Sequence, residues 1–149
     1  MKLLVATDGS EEADNALAYA RDISDAMGGS ITVVHAVDPT VSQEGASNLI
    51  SGLSDADRKL VLGSIENAEN RGVALLDDAM EFAEELDQEV KTELLYGDPV
   101  SEITDYADEK DFDAILVGHR GRSEHTERLF GSVAKGIVER STIPVTVVR

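Results

Sequence analysis

Ala114-Ile115-Leu116-Val117-Gly118-His119-Arg120-Gly121-Arg122, with Gly131-Ser132 after eight intervening residues, is the stretch that decides the fold. Apolar residues feed the first glycine and an amphipathic run from Ser132 to Arg140 follows the last, so strand, loop and helix succeed one another. The glycines are spaced Gly, two residues, Gly, nine residues, Gly, with a serine next. Helix N-termini present unpaired N–H groups to anions. Gly118 and Gly121 can take positive φ and let the backbone approach a ligand that a Cβ would block, and Ser132 adds a hydroxyl donor. Arg120, Arg122 and Arg128 crowd this loop in a chain with 13 Lys and Arg, partly offset by Glu124 and Glu127. Guanidinium groups pair well with phosphate oxygens, so the loop reads as a nucleotide site. The same glycines also suit a plain strand end, turn and helix start, and the stretch alone leaves both readings open.

Working outward, Lys2 to Thr7 is a short β-rich apolar run, and Ser10 to Met27 repeats apolar residues at Ala13, Leu17, Ala20 and Ile23 as a helix does. Gly28-Gly29 stops that helix. Ile31 to Val37 is a second strand, apolar enough to be buried on both faces. Asp38 to Ser54 is polar, with Pro39, Gly45 and Gly52, and reads as a long loop with a weak turn at Leu49 and Ile50. A helix is expected from Asp55 to Leu86, broken near Gly63 or Gly72, with its apolar stripe at Leu76, Ala79, Met80, Ala83 and Leu86. Val90 to Leu95 is the third strand. Asp98 then caps a helix with Pro99 at its first position and a stripe at Val100, Ile103, Tyr106 and Ala107. After the glycine loop and its helix, Pro144 precedes a fifth strand, Val145 to Val148. Alternating strands and helices predict an α/β fold with a doubly wound, five-stranded parallel sheet, helices on both faces and strand order 3-2-1-4-5. Strands one and four are then neighbours, and ligands in such sheets sit beyond the strand C-termini at that switch point, where Asp8 and Gly118 lie. Asp8 with Glu11 also spells a capping box, and Ser10 could cap equally well.

The glycine loop and the opening Leu3-Leu4-Val5-Ala6-Thr7-Asp8-Gly9-Ser10 together resemble the universal stress protein family, in particular its ATP-binding branch. The resemblance extends over nearly the whole chain, through His35-Ala36-Val37-Asp38, Gly97-Asp98-Pro99 and Ile143-Pro144-Val145-Thr146-Val147-Val148. It implies one domain over residues 1–149 with the adenine nucleotide alpha hydrolase-like fold. It also implies ATP as ligand, with ADP or AMP as alternatives; Mg²⁺ is expected as an accessory bridged to the phosphates, since magnesium keeps waters and takes few protein carboxylates. Base and ribose contacts carry over to Ala6, Thr7 and Asp8, and the adenine contact after strand two to Ala36. The loop contacts carry over to Val117, Gly118, Arg120, Gly121, Gly131, Ser132 and Val133, and Arg122 joins them by its charge. Family members often have proline where Ala6 stands and a larger aliphatic where Ala36 stands, which implies a looser base pocket here. A homodimer through the terminal strand Val145 to Val148 is implied as well. An apolar edge strand invites such pairing unless its own loops cover it.

At 149 residues and 42% hydrophobic, the chain suits one domain with a sizeable core. Its sequence holds no apolar run of bilayer length and no signal-peptide pattern at the start, so a cytoplasmic location and no membrane contact are expected. Without cysteine there are no disulfides, thiolates or cysteine-based zinc sites, and the three histidines show no ligand spacing. The net charge of −17, from 30 acids spread along the chain, would repel nucleic acid. Such self-repulsion is relieved by salt, whose Debye length falls to ~3 Å at molar concentration. The acidic, lysine-poor composition resembles proteins of salt-accumulating haloarchaea, and loosening of the fold at low salt is the matching expectation.

No general base stands out beside the loop, and the Gly-Lys-Ser or Gly-Lys-Thr of P-loop NTPases is absent, so binding with at most slow ATP hydrolysis is expected. Phosphate contacts could order Arg120 to Phe130 and change a surface read by partners. A phosphoacceptor receiver would need an acidic cluster, an Asp after its third strand and a Lys after its last strand. A flavin carrier would need aromatic platforms. A dimeric interaction protein of the same family without nucleotide is the remaining alternative. His119 and His125 are expected to face solvent and His35 to pack at a strand end. Tyr19, Phe82, Tyr106, Phe112 and Phe130 are expected in core or edge packing.

Overall fold

A computed structural model of the chain describes the backbone of residues 1–38, 55–120 and 131–149, and side chains over 1–38, 66–120 and 131–149. The described elements run β1 (Lys2–Ala6), α1 (Glu11–Met27), β2 (Ser30–Val37), α2 (Asp55–Glu85), β3 (Val90–Tyr96), α3 (Pro99–Glu109), β4 (Ala114–Gly118), α4 (Ser132–Arg140) and β5 (Val145–Val148). All strand pairs are parallel and the order is β3-β2-β1-β4-β5, the doubly wound arrangement expected from the alternating pattern. The register sets Ala6 beside both Val34 and Val117.

Side chains alternate across the sheet and build one core on each face. Leu3, Val5, Ile31, Val33 and Leu116 pack toward Ala16, Leu17 and Ala20 of α1 and Leu76, Ala79 and Ala83 of α2. Leu4, Ala6, Val34, Ile115 and Val117 pack toward Ile103 and Ala107 of α3 and Ala134 and Ile137 of α4. Each fully buried Leu, Ile or Val contributes roughly 1.5–3 kcal/mol, so both helical layers are held by apolar burial.

Helix ends follow local chemistry. Gly28, at φ 71, closes α1 through its N–H to the Ser24 carbonyl. Asp98 caps α3 by accepting from Ser101 N–H, with Pro99 at the first turn. Three expectations fail. The long helix α2 runs unbroken through Gly63 and Gly72, because Gly72 continues the inward stripe of Leu76, Ala79 and Ala83 and fits where a Cβ would press on Leu94, His35 and Val37. Met80, assigned to that stripe, is 38% exposed, and Tyr19 is 46% exposed on the outer side of α1. The expected loop of residues 38–54, apart from Asp38, and the turn at Leu49 and Ile50 lie outside the described residues.

Candidate functional site

β1 and β4 end side by side and their chains then turn to opposite faces, which opens a crevice at their C-terminal ends. On the β1 side, Thr7 N–H still donates to the Val34 carbonyl at 2.9 Å. The chain then folds tightly: Gly9 N–H donates to Thr7 Oγ1 at 3.2 Å and Ser10 N–H to Asp8 Oδ1 at 3.0 Å, with Gly9 at φ 77. Ser10, and not Asp8, caps α1, its Oγ accepting from Ala13 N–H at 3.2 Å. The Asp8 carboxylate thus shapes the turn before the helix and borders the crevice.

On the β4 side, Gly118 does not use the positive φ open to a glycine; among the described residues Gly9, Gly28 and Gly97 do. Its missing Cβ is needed for packing, because a methyl there would stand 2.8 Å from Glu12 Cβ and 2.9 Å from the Glu12 carbonyl carbon. α1 therefore lies directly on the end of β4. The Glu12 carboxylate reaches Arg120, Oε1 to Nη2 at 3.8 Å, and Arg120 Nε donates to His119 Nε2 at 2.9 Å. His119 is half-buried, contrary to the expectation that it faces solvent, and its Nδ1 is buried with no hydrogen-bond partner among the described residues. Backbone bonds from His119 N–H to Val148 O and from Gly131 N–H to His119 O bring β4, β5 and the start of α4 together.

α4 begins at Ser132 with Gly131 as its cap, and that cap makes no side-chain hydrogen bond. Its first turn carries no acidic residue, although the chain holds 30 Asp and Glu. This turn faces a cavity of about 240 Å³. Of the residues expected from the sequence, Ala6, Thr7 and Asp8 line it from β1, Ala36 from β2, Val117, Gly118 and Arg120 from β4, and Gly131, Ser132 and Val133 from α4. Gly121 and Arg122 lie outside the described residues, as do Arg128, His125 and Phe130. Ala13, His35, Pro99, Ile103 and Ala134 also line the cavity and were not singled out for it. Pro99 and Ile103 were legible as a helix start and an inward stripe, but only tertiary packing lays α3 against the crevice.

Ala6, Ala36, Ile103, Val117 and Val133 give the cavity apolar lining, and Arg120 and the start of α4 give it polar lining. A flat, weakly polar group suits the first and an anion the second. The volume lies just under the roughly 300–1,000 Å³ usual for small-molecule pockets. Among the described residues no three His, Asp or Glu side chains converge on a metal position. Near the other helix start, burial and then Asp78, Asp8 and Glu11 push the Asp14 carboxyl above its ordinary range.

The universal stress protein family matches this chain over residues 1–149. Universal stress protein YxiE of Bacillus subtilis is 32% identical, over 99% of this chain and 98% of its own. Among solved structures, universal stress protein UspA from Lactobacillus plantarum superposes with a TM-score of 0.79 at 22% identity, over 100% of this chain and 97% of that one. The universal stress protein from Archaeoglobus fulgidus in complex with dAMP gives 0.67 at 24% identity, over 100% and 98%. Both structural likenesses speak to the fold.

Proposed function

The chain belongs to the universal stress protein family, and from that premise we propose that it binds an adenine nucleotide in the cavity between β1, β4 and α4. The observation that carries this is the start of α4: a helix opening without side-chain cap or acidic residue, beside Arg120, onto an apolar-walled cavity. A helix dipole favours an anion at its N-terminus, and no acid within the first turn of α4 competes with one there. The base lies against Ala6, Ala36 and Val117, Asp8 is in reach of ribose hydroxyls, and the α-phosphate meets Gly131, Ser132 and Val133. The dAMP complex of the archaeal relative supports an adenosine monophosphate as the common core of the ligand. ATP would add its outer phosphates to the same core, with Mg²⁺ held by the phosphates rather than by a protein carboxylate cage. The role is binding, with hydrolysis at most slow.

Calorimetry with AMP, ADP and ATP in molar KCl tests the reading. Saturable binding by wild type, abolished in Ala36→Phe with melting unchanged, is expected. No heat with any of the three would leave a dimeric interaction protein of the same fold as the better account.

The homodimer belongs to the same proposal. Among the described residues β5 pairs with β4 alone, and its four residues are half-buried. Because Ile115 N–H and His119 N–H donate to Pro144 O and Val148 O, Thr146 and Val148 direct their backbone groups to β4, and Val147 directs its own to the open edge. Val147→Pro removes that outward donor and spares the β4 ladder. A folded monomer by light scattering is the expected result, and an intact dimer would exclude pairing through β5.

A further inference from the structure

His35 is where the cavity wall meets α2, and strand-end packing alone does not describe it. Its Nδ1 lies 2.8 Å from the Thr7 carbonyl oxygen. A carbonyl can only accept, so Nδ1 carries the proton and this bond sets the tautomer. The contact falls where β1 leaves the sheet, and the carbonyl it holds belongs to the planar Thr7–Asp8 peptide. Fixing that plane fixes the direction in which the chain enters Asp8, Gly9 and Ser10, whose own bonds then complete the turn. On its far side the ring is seated by α2. A Cβ at Gly72 would stand 3.0 Å from His35 Cδ2, 2.8 Å from Leu94 Cδ1 and 3.1 Å from Val37 Cγ2. His35 and Ala36 also line an open groove beside Ala68, Arg71 and Asp78, so the ring forms part of the partition between groove and cavity.

We propose that His35 is a positioning residue for the nucleotide cavity: its Nδ1–H bond to Thr7 holds the Thr7–Asp8 wall, and Gly72 is the notch in α2 that seats the ring. The ligand in this statement rests on the nucleotide reading above; the geometry does not. His35→Leu removes the donor at similar volume, and His35→Asn keeps a side-chain N–H near the Nδ1 position. The full chain is followed by amide hydrogen exchange at Asp8, Gly9 and Ser10 and by calorimetry with AMP. The Leu variant should exchange faster at these amides and bind AMP roughly tenfold more weakly, the worth of one hydrogen bond. The Asn variant should recover both. Gly72→Ala, which pushes the ring from outside the cavity while gaining helix propensity, should weaken AMP binding with little change in melting. Wild-type exchange and affinity in His35→Leu, or an Asn variant as impaired as the Leu variant, would overturn the proposal. If His35→Leu fails to fold, the Asn and Gly72→Ala variants decide it, since unchanged affinity in Gly72→Ala removes the seat. A wild type that binds none of AMP, ADP and ATP overturns the nucleotide reading alone, because the exchange experiment still judges the tie to Thr7.

Discussion

Of the three helices that begin at the crevice, α1 and α4 each have a glycine and a serine at the start, yet they are closed in different ways. α1 is closed on itself: Ser10 Oγ accepts from Ala13 N–H, the first turn holds Glu11, Glu12 and Asp14, and Gly118 lets β4 press against Glu12. α4 has Gly131 as cap with no side-chain bond and no acid in its first turn. A helix dipole favours negative charge at its N-terminus. α1 supplies that charge from its own sequence, and the first turn of α4 does not, which is the difference on which the proposed phosphate position rests.

The comparison breaks most visibly at Gly118. Gly118→Val forces a side chain into Glu12 and should cost about 3 kcal/mol, lowering Tm by roughly 10 °C. A variant that melts like wild type would mean that α1 does not need this contact. Ser132→Asp turns the α4 start into a copy of the α1 start. Calorimetry should show AMP affinity reduced at least tenfold, because a carboxylate near the phosphate costs more than the ~1.4 kcal/mol that tenfold represents. Its thermal stability should hold or rise by about 0.5 kcal/mol. Unchanged affinity would move the phosphate away from α4.

Ser10→Ala is the reverse case, with an expected loss of about 1 kcal/mol in denaturant unfolding and AMP binding left as it was. The smallest effect belongs to Asp14. Its raised folded-state pKa means that the fold holds this proton more tightly than the unfolded chain, so stability falls as pH rises through the window between the two values. Asp14→Asn should therefore melt slightly higher than wild type at pH 7. That advantage should vanish as the pH drops below the ordinary carboxylate range; a constant difference across pH would assign the effect to packing.

Much of the fold was legible because strands and helices carry periodic apolar patterns, and α4 was delimited at both ends by Gly131-Ser132 and the run to Arg140. Gly28, Asp98 and Pro144 marked boundaries by backbone chemistry that acts within a few residues. Gly72 was misread as a break, since a glycine in a helix looks like a weakness until a neighbouring strand requires its missing side chain. The residues grouped by the sequence reading, from Ala6 to Val133, do meet on one cavity where they are described. Gly118 lines the cavity as the sequence reading placed it, but its second role, close packing of α1 on β4, could not be read from local spacing.

The sequence by itself determined the alternation of strands and helices, the family, and the acidic surface, since each depends on residue type and short-range order. Tertiary structure alone decided that His35 reaches Thr7 across 28 positions, that Pro99 and Ile103 wall the crevice, and that Glu12 meets Gly118 and Arg120. These contacts join segments far apart in the chain. They exist only once burial of apolar side chains on both faces of the sheet has brought the helices into place.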